Sequence, residues 1–139
     1  MSDLKAMMRR IIEEAFNQGN LDALDELIAD DFVEHEDLPP EVPQGRAAPR
    51  AMITMMRAAF PDLQVTVEDM LQDGSKVVTR SRFAGTHEGE FMGIAATGNK
   101  FDVPVIDIVE FRDDEAVAHW GVMDNAAMME QLGVAGPPA

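Results

Sequence analysis

The sequence predicts an α+β fold, because helical and strand periodicities occupy different parts of the chain. Apolar residues recur at helical spacing before Pro61, and they alternate with polar residues in steps of two after it. With 139 residues, 46% of them hydrophobic, the chain can bury one core and has little room for a second. We therefore expect a single domain over residues 1–134 and a flexible Gly-Pro-Pro tail at 135–139.

Three helices are predicted in the first part of the chain. The first runs from Leu4 to Phe16 with one broad apolar stripe and ends at Gly19. A short second helix follows the capping residue Asn20 and stops near Asp30-Asp31, before a proline-rich loop. The third begins near Pro49 and is terminated by Pro61. Its buried face consists of Met52, Met55, Met56, Ala59 and Phe60.

Four antiparallel strands and a last helix complete the prediction. Alternation at Leu63, Val65 and Val67 marks the first strand, and the turn Asp73-Gly74 leads into the second, Lys76 to Thr86. After a glycine-rich loop come strands at 101–112 and 116–123, joined at Asp113-Asp114, and a helix at 125–132. The last two strands carry apolar residues on both faces. Since a sheet covered on one side should be polar on the other, we expect a homodimer through the sheet.

Composition excludes several classes of function. The chain has no cysteine, which excludes disulfides, thiolate metal sites and a cysteine nucleophile, and it has no tyrosine to act as a phenolic acid. Its 26 Asp+Glu against 11 Lys+Arg give a net charge of -15, which disfavours nucleic acid and anionic membranes as partners. The N-terminus shows no signal-peptide pattern and no apolar run spans a bilayer. We expect a cytoplasmic protein.

The sequence contains none of the common catalytic or nucleotide-binding motifs, and acid–base chemistry is the remaining class. His35, His87 and His119 show no metal-ligand spacing, so no metal is expected. Asp107 lies within the apolar strand Val105-Ile106-Asp107-Ile108-Val109, where burial would raise a carboxyl pKa into a useful range. Alternatively, Asp107 pairs with Arg80 or Arg82 across the hairpin.

Asp124 is the second candidate acid. It shares strand parity with Trp120, so both would face the same cavity, but an Asp before a helix is also a good N-cap. His119 has the opposite parity and is expected on the second side of the sheet, as an interface or core residue. His35 and His87 lie either at a pocket mouth or in exposed loops.

Four segments in order resemble one known family. They are Ala58 to Asp69 (AAFPDLQVTVED), Gly85 to Gly98 (GTHEGEFMGIAATG), His119 to Asp124 (HWGVMD) and Gln131 to Gly133 (QLG). Together they resemble the SnoaL-like polyketide cyclases, also called ester cyclases, of the nuclear transport factor 2-like superfamily. The resemblance extends over about residues 4–134.

The resemblance implies a cone-shaped fold in which a curved antiparallel sheet packs around N-terminal helices, usually as a homodimer. It also implies a pocket for a small hydrophobic molecule and an aldol-type ring closure of a carbonyl compound, without cofactor or metal. The catalytic residues it implies are Asp124 as general acid/base, with Asp107 and His35. The substrate-binding residues would be Trp120, His87, Arg80, Phe60 and Met56.

Two alternatives remain open at this level. A non-catalytic protein that binds a small hydrophobic ligand would use the same pocket, and a structural dimerisation domain would have that pocket filled by side chains. The superfamily also contains ketosteroid isomerases, whose oxyanion hole combines a strand acid with a tyrosine. Asp107 would match that acid, but this chain has no tyrosine.

Overall fold

The computed structural model describes residues 3–134 and confirms the α+β class. The predicted tail at 135–139 lies outside the described residues. Two of the helices and the last one have the expected limits within one or two residues. The elements are α1 (Leu4–Arg10), a π-helical continuation (Ile11–Asn17), α2 (Asp22–Leu27), β1 (Ile28–Glu34), α3 (Ala47–Ala59), β2 (Gln64–Asp73), β3 (Lys76–Thr86), β4 (Lys100–Arg112), β5 (Glu115–Met123) and α4 (Asn125–Leu132).

Five strands form one curved sheet in the order β1-β5-β4-β3-β2. The four long strands are antiparallel, as expected, and β2 turns into β3 at Gly74. The fifth strand, β1, was not predicted, and it pairs with β5 in parallel. The expectation that the second helix continues to Asp30-Asp31 is therefore wrong, because α2 ends at Leu27 and the chain then extends along the sheet edge. Pairing with a strand remote in sequence overrides local helix propensity there.

The helices cover one face of the sheet, and the core lies between them. α1 and α3 contribute Met8, Ile53 and Met56, while the strands contribute alternate residues such as Val65, Val77 and Val105. The side chain of Asn17 fixes the end of the π-helical segment to β2. Its amide donates to the Val65 carbonyl oxygen at 3.0 Å, and its oxygen accepts from the Val65 amide at 2.7 Å.

A β-bulge at Val117 decides which residues of β5 face the helices. Phe111 pairs with Ala116 and the adjacent Glu110 pairs with Ala118, so one extra residue is inserted on β5. An inserted residue reverses the in-and-out alternation of everything that follows it. His119 consequently lies opposite the buried Val109, on the helix side. The expectation that His119 faces the second side of the sheet is wrong for this reason.

The opposite face of the sheet is apolar and partly exposed. Val122 is 74% exposed, Val33 49% and Ile106 42%. Trp120 pairs with Ile108 and lies on this outer face. Within residues 3–134, no helix is long and apolar enough to cross a membrane.

Candidate functional site

A cavity of about 120 Å³ lies between the helices and the sheet. Its walls are almost entirely apolar, with residues from α1, the π-helical segment, α3 and the inner sheet face, among them Met8, Ile12, Met52, Met56, Phe83 and Val105. The ionisable side chains that line it are Glu34, Glu36, Asp107 and His119. They come from one wall of the cavity, where β1, β5 and β4 are adjacent. Convergent polar groups in an apolar cavity are typical of a small-molecule site.

His119 connects two carboxylates on this wall. Its Nε2 donates to Asp107 Oδ1 at 2.8 Å, and its Nδ1 donates to Glu34 Oε2 at 2.5 Å. The register places these groups together, because Glu34 on β1 is beside His119 on β5, and Asp107 on β4 is opposite Gly121. The side chain of His119 is only 20% exposed, that of Glu34 5% and that of Asp107 15%. They form a buried carboxylate–imidazole–carboxylate arrangement.

The two carboxylates keep the imidazole charged. Burial by itself lowers the pKa of His119, but the hydrogen bonds to Asp107 and Glu34 and their negative charges outweigh it. The net effect raises the pKa of His119 to about 10. At neutral pH the ring is therefore an imidazolium, and both of its N–H groups donate to carboxylates. Asp107 and Glu34 accept these hydrogen bonds on either side of it.

Glu36 is a third carboxyl group at the same wall. It follows Glu34 by two residues, so both side chains point to the cavity, and the Glu36 amide donates to Glu34 Oε2 at 3.2 Å. Burial among apolar side chains raises the pKa of Glu36, the positive charge of His119 lowers it, and the negative charges of Asp107, Glu34 and Asp37 raise it. The net pKa is about 7. The neutral and charged forms of this group are thus comparably populated near neutral pH.

Gly121 makes room for these side chains. A Cβ atom added there would lie 2.4 Å from Glu36 Oε1, 2.8 Å from Asp107 Oδ1 and 2.9 Å from His119 Cε1. These separations are far shorter than van der Waals contact. The missing side chain at position 121 is therefore a requirement of the cluster.

Gly121→Ala is expected to lower the free energy of unfolding by about 1 to 3 kcal/mol, the usual cost of an overpacked site. The added methyl group must displace Glu36 and disturb the hydrogen bond between His119 and Asp107. Urea unfolding and the NMR titration of the His119 ring would measure both effects. Gln44→Ala, at an exposed loop position away from the cavity and from the outer face of the sheet, is the control and should change neither. An unshifted His119 titration in Gly121→Ala would contradict this account.

The same wall has the ligand types of a divalent-cation site. Glu36, Asp107 and His119 can each offer one atom, and these atoms all lie within 4.8 Å of one another. Both nitrogens of His119, however, already donate to carboxylates. A cation could bind the ring only after displacing a proton whose pKa is raised to about 10. The arrangement is therefore better suited to holding and moving protons than to binding a metal.

Of the residues singled out from the sequence, the structure places Asp107 and Met56 in the cavity wall. Arg80 does not pair with Asp107, since it lies opposite Ile106 on the outer face and binds Glu68 Oε1 at 3.2 Å. Asp124 lies outside the cavity wall. It is exposed and caps α4, where its Oδ1 accepts from the Ala127 amide at 3.0 Å. Its position is the one expected from the alternative that Asp124 is the N-cap of the last helix.

His35 and Trp120 lie together, but on the outer face of the sheet. Their rings are stacked with centroids 4.6 Å apart and planes at 3°, and Lys76 Nζ lies 5.3 Å from the Trp120 ring. The bulge in β5 turns Trp120 outward, and the alternation of β1 turns His35 outward beside it. Neither residue belongs to the cavity wall in this structure.

His87 and Phe60 belong to a separate aromatic cluster in the core. Both are fully buried, and the Phe60 ring contacts those of His87, Phe91 and Phe101. His87 Nδ1 accepts from the Thr97 amide at 3.3 Å and lies 3.0 Å from its hydroxyl. His87 thereby fixes the loop between β3 and β4, at a distance from the carboxylate cluster in the fold.

Three members of the cluster were not identified from the sequence. Glu34 and Glu36 had a usable signal, because they alternate with His35 and share parity with the buried Phe32. This alternation covers too few residues for the segment to be recognised as a strand. The sequence gives no signal that His119 faces inward, because the bulge that turns it inward has no sequence pattern of its own.

Comparison with known proteins gives a consistent result. The family model for SnoaL-like polyketide cyclases matches residues 6–132. Aklanonic acid methyl ester cyclase DauD of Streptomyces sp. strain C5 is 28% identical over 140 residues, covering 96% of this chain and 83% of DauD. The predicted family thus agrees with an independent match.

Solved structures show the same fold. TsrD of Streptomyces laurentii superposes with a TM-score of 0.86 at 30% identity, covering 97% of this chain and 100% of TsrD. Wild-type IdmH of Streptomyces antibioticus has a TM-score of 0.82 at 38% identity, covering 96% of this chain and 100% of IdmH.

Proposed function

The chain belongs to the SnoaL-like polyketide cyclase family, and we propose that it closes a ring in a neutral, hydrophobic carbonyl compound by an aldol-type reaction. The observation that carries this proposal is the placement of the carboxylate–imidazolium cluster at one wall of an otherwise apolar cavity. Such a wall can exchange protons with a bound substrate, while the apolar remainder excludes water.

Asp107 is the proposed general base. It removes a proton from the carbon beside a carbonyl group, and the electron pair of that C–H bond forms an enolate. The enolate carbon attacks a second carbonyl carbon of the same molecule, a C–C bond closes the ring, and the second carbonyl oxygen takes up a proton. His119 is a positioning residue, since its hydrogen bond orients Asp107, and Glu34 orients His119 in turn.

The charges at the site favour an uncharged substrate. Among residues 3–134, no Lys or Arg lines the cavity, whereas three carboxyl groups and one imidazolium do. A substrate carboxylate would meet net negative charge in a poorly solvated space. We therefore propose that an ester is accepted and the corresponding free acid is rejected.

Incubation with aklanonic acid methyl ester, the compound that the name of DauD contains, tests the proposal. We expect an isomer of unchanged mass and different retention time, formed equally well in EDTA because the proposed steps use only side chains. The free acid should react at least about tenfold more slowly. Recovery of the ester unchanged, with a rise in melting temperature, would instead indicate a binding protein; loss of activity in EDTA would indicate a metal.

We also propose a homodimer through the outer face of the sheet. The exposed side chains of Val33, Ile106 and Val122 form an apolar surface there, which association would remove from water. Sedimentation should show a dimer for the wild type and a monomer for Val122→Asp, because the new charge would be buried at the interface. A wild-type monomer at high concentration would refute this part.

A further inference from the structure

Glu36 is the ionisable group at the cavity wall that the steps above do not use. Within the described part of the chain, its carboxyl oxygens make neither a hydrogen bond nor a salt bridge. A carboxyl group is costly to bury in this condition unless it is neutral. Its position therefore requires an explanation other than stabilisation of the fold.

We propose that Glu36 is a second catalytic residue, the general acid that protonates the carbonyl oxygen attacked during ring closure. This inference rests on the proposed function. It assigns the two proton transfers to two carboxyl groups, Asp107 as base and Glu36 as acid, rather than to one.

The geometry allows two carboxyl groups to act on one substrate. Ligand atoms of Glu36, Asp107 and His119 lie within 4.8 Å of one another, which is close enough for both acids to contact neighbouring atoms of a bound molecule. Asp107 directs one oxygen to His119 and has a second oxygen available. Glu36 approaches the same space from the segment that follows β1, and Gly121 leaves that space open between the strands.

Glu36 and Asp107 have different surroundings. Asp107 receives a hydrogen bond from the imidazolium of His119, whereas no cation among residues 3–134 donates a hydrogen bond to Glu36. The groups that face Glu36 are the anions Glu34 on β1 and Asp107 on β4, the imidazolium of His119 on β5, and the exposed Asp37 beside it. Burial and the neighbouring negative charges raise the pKa of Glu36, the imidazolium opposes them, and the net value is about 7. A protonated Glu36 is therefore available beside Asp107, whose carboxyl group accepts a hydrogen bond from His119.

The proton balance of the reaction closes without a co-reactant. Asp107 gains the carbon-bound proton as the enolate forms. When the C–C bond forms, the π electrons of the attacked carbonyl move to its oxygen, and that oxygen takes the proton of Glu36 to become a hydroxyl group. Transfer of the proton from Asp107 to the Glu36 carboxylate then restores the starting state. The product is an isomer of the substrate.

Glu36→Gln separates the two transfers, because a glutamine amide can donate a hydrogen bond but cannot serve as the acid. In D₂O with aklanonic acid methyl ester, we expect ring closure to fall by about 100-fold or more. Enzyme-dependent deuterium exchange at the substrate α-carbon, followed by NMR, should continue, because Asp107 still forms the enolate. Glu41→Gln makes the same change at an exposed loop position and should leave both rates unchanged.

The pH dependence of kcat/KM is a second measurement, and it would not change if Glu36 had only a structural role. In the wild type, kcat/KM for ring closure should decline above pH about 7 as Glu36 loses its proton, and the residual rate of Glu36→Gln should lack this decline. If a folded Glu36→Gln variant closes the ring at the full rate, or loses exchange and closure in parallel, only the role proposed for Glu36 is wrong. If the wild type itself catalyses neither exchange nor closure, the proposed function is wrong as well.

Discussion

Asp107→Asn is expected to lower the rate of ring closure by about 10²- to 10⁴-fold, the usual contribution of a positioned general base. Asparagine has nearly the same shape, and its carbonyl oxygen can still accept the hydrogen bond from His119 Nε2. It cannot accept the substrate proton. Enolate formation should therefore stop, and deuterium exchange at the α-carbon should be lost together with ring closure, in contrast to the behaviour expected of Glu36→Gln.

The matched control for Asp107→Asn is Asp124→Asn. Asp124 is the acid that the family resemblance favoured, but its side chain is exposed and accepts from the Ala127 amide at the start of α4. Asparagine is a comparable N-cap, so we expect an active and nearly equally stable protein. Loss of turnover in Asp124→Asn, with retention in Asp107→Asn, would reverse the assignment of the base.

His119→Gln is expected to lower the free energy of unfolding at pH 7 by about 3 kcal/mol, toward the lower limit for breaking a buried ion pair. The substitution removes the positive charge between Glu34 and Asp107, which are 5% and 15% exposed. Two buried carboxylates then face each other without a counter-charge. Since small domains are stable by only about 5 to 15 kcal/mol, urea unfolding should detect this loss readily.

The loss should also depend on pH in a defined direction. The pKa of His119 is raised from 6.5 to about 10, so its contribution to stability is fully present below pH 6.5 and disappears as the pH rises through 10. The difference in free energy of unfolding between the wild type and His119→Gln should accordingly decrease between pH 7 and 10. His35→Gln, which removes an exposed imidazole from the stack on the outer face, is the control and should change the free energy of unfolding much less than His119→Gln. If the difference in free energy of unfolding between the wild type and His119→Gln does not change with pH, His119 is not an imidazolium at neutral pH.

The same linkage applies to Glu36 over a lower range. Its pKa is raised from 4.5 to about 7, so its contribution is present below pH 4.5 and is lost as the pH rises through 7. If only the titration of Glu36 and His119 is considered, the wild type should thus be more stable slightly below neutral pH than above it. Both groups retain protons on folding that the unfolded chain would release.

Much of the fold could be predicted because it depends on local patterns. The hairpin at Asp73-Gly74, the limits of β3 and the helix between Asp124 and Gly133 follow from turn chemistry, strand alternation and capping, and the structure has them at the expected residues. Asp107 was identified because one acid in a run of β-branched residues is conspicuous. These signals need only neighbours in the sequence.

The sequence by itself determined the α+β class, the antiparallel strands and one acid facing the core, since each follows from periodicity within a single element. The tertiary structure decided the site. The bulge at Val117 reverses the parity of β5, which turns His119 inward and Trp120 outward, and a parallel edge strand brings Glu34 to His119 across 85 positions of the chain. Strand pairing and an inserted residue set both contacts, and neither is encoded in the spacing of residues along one strand.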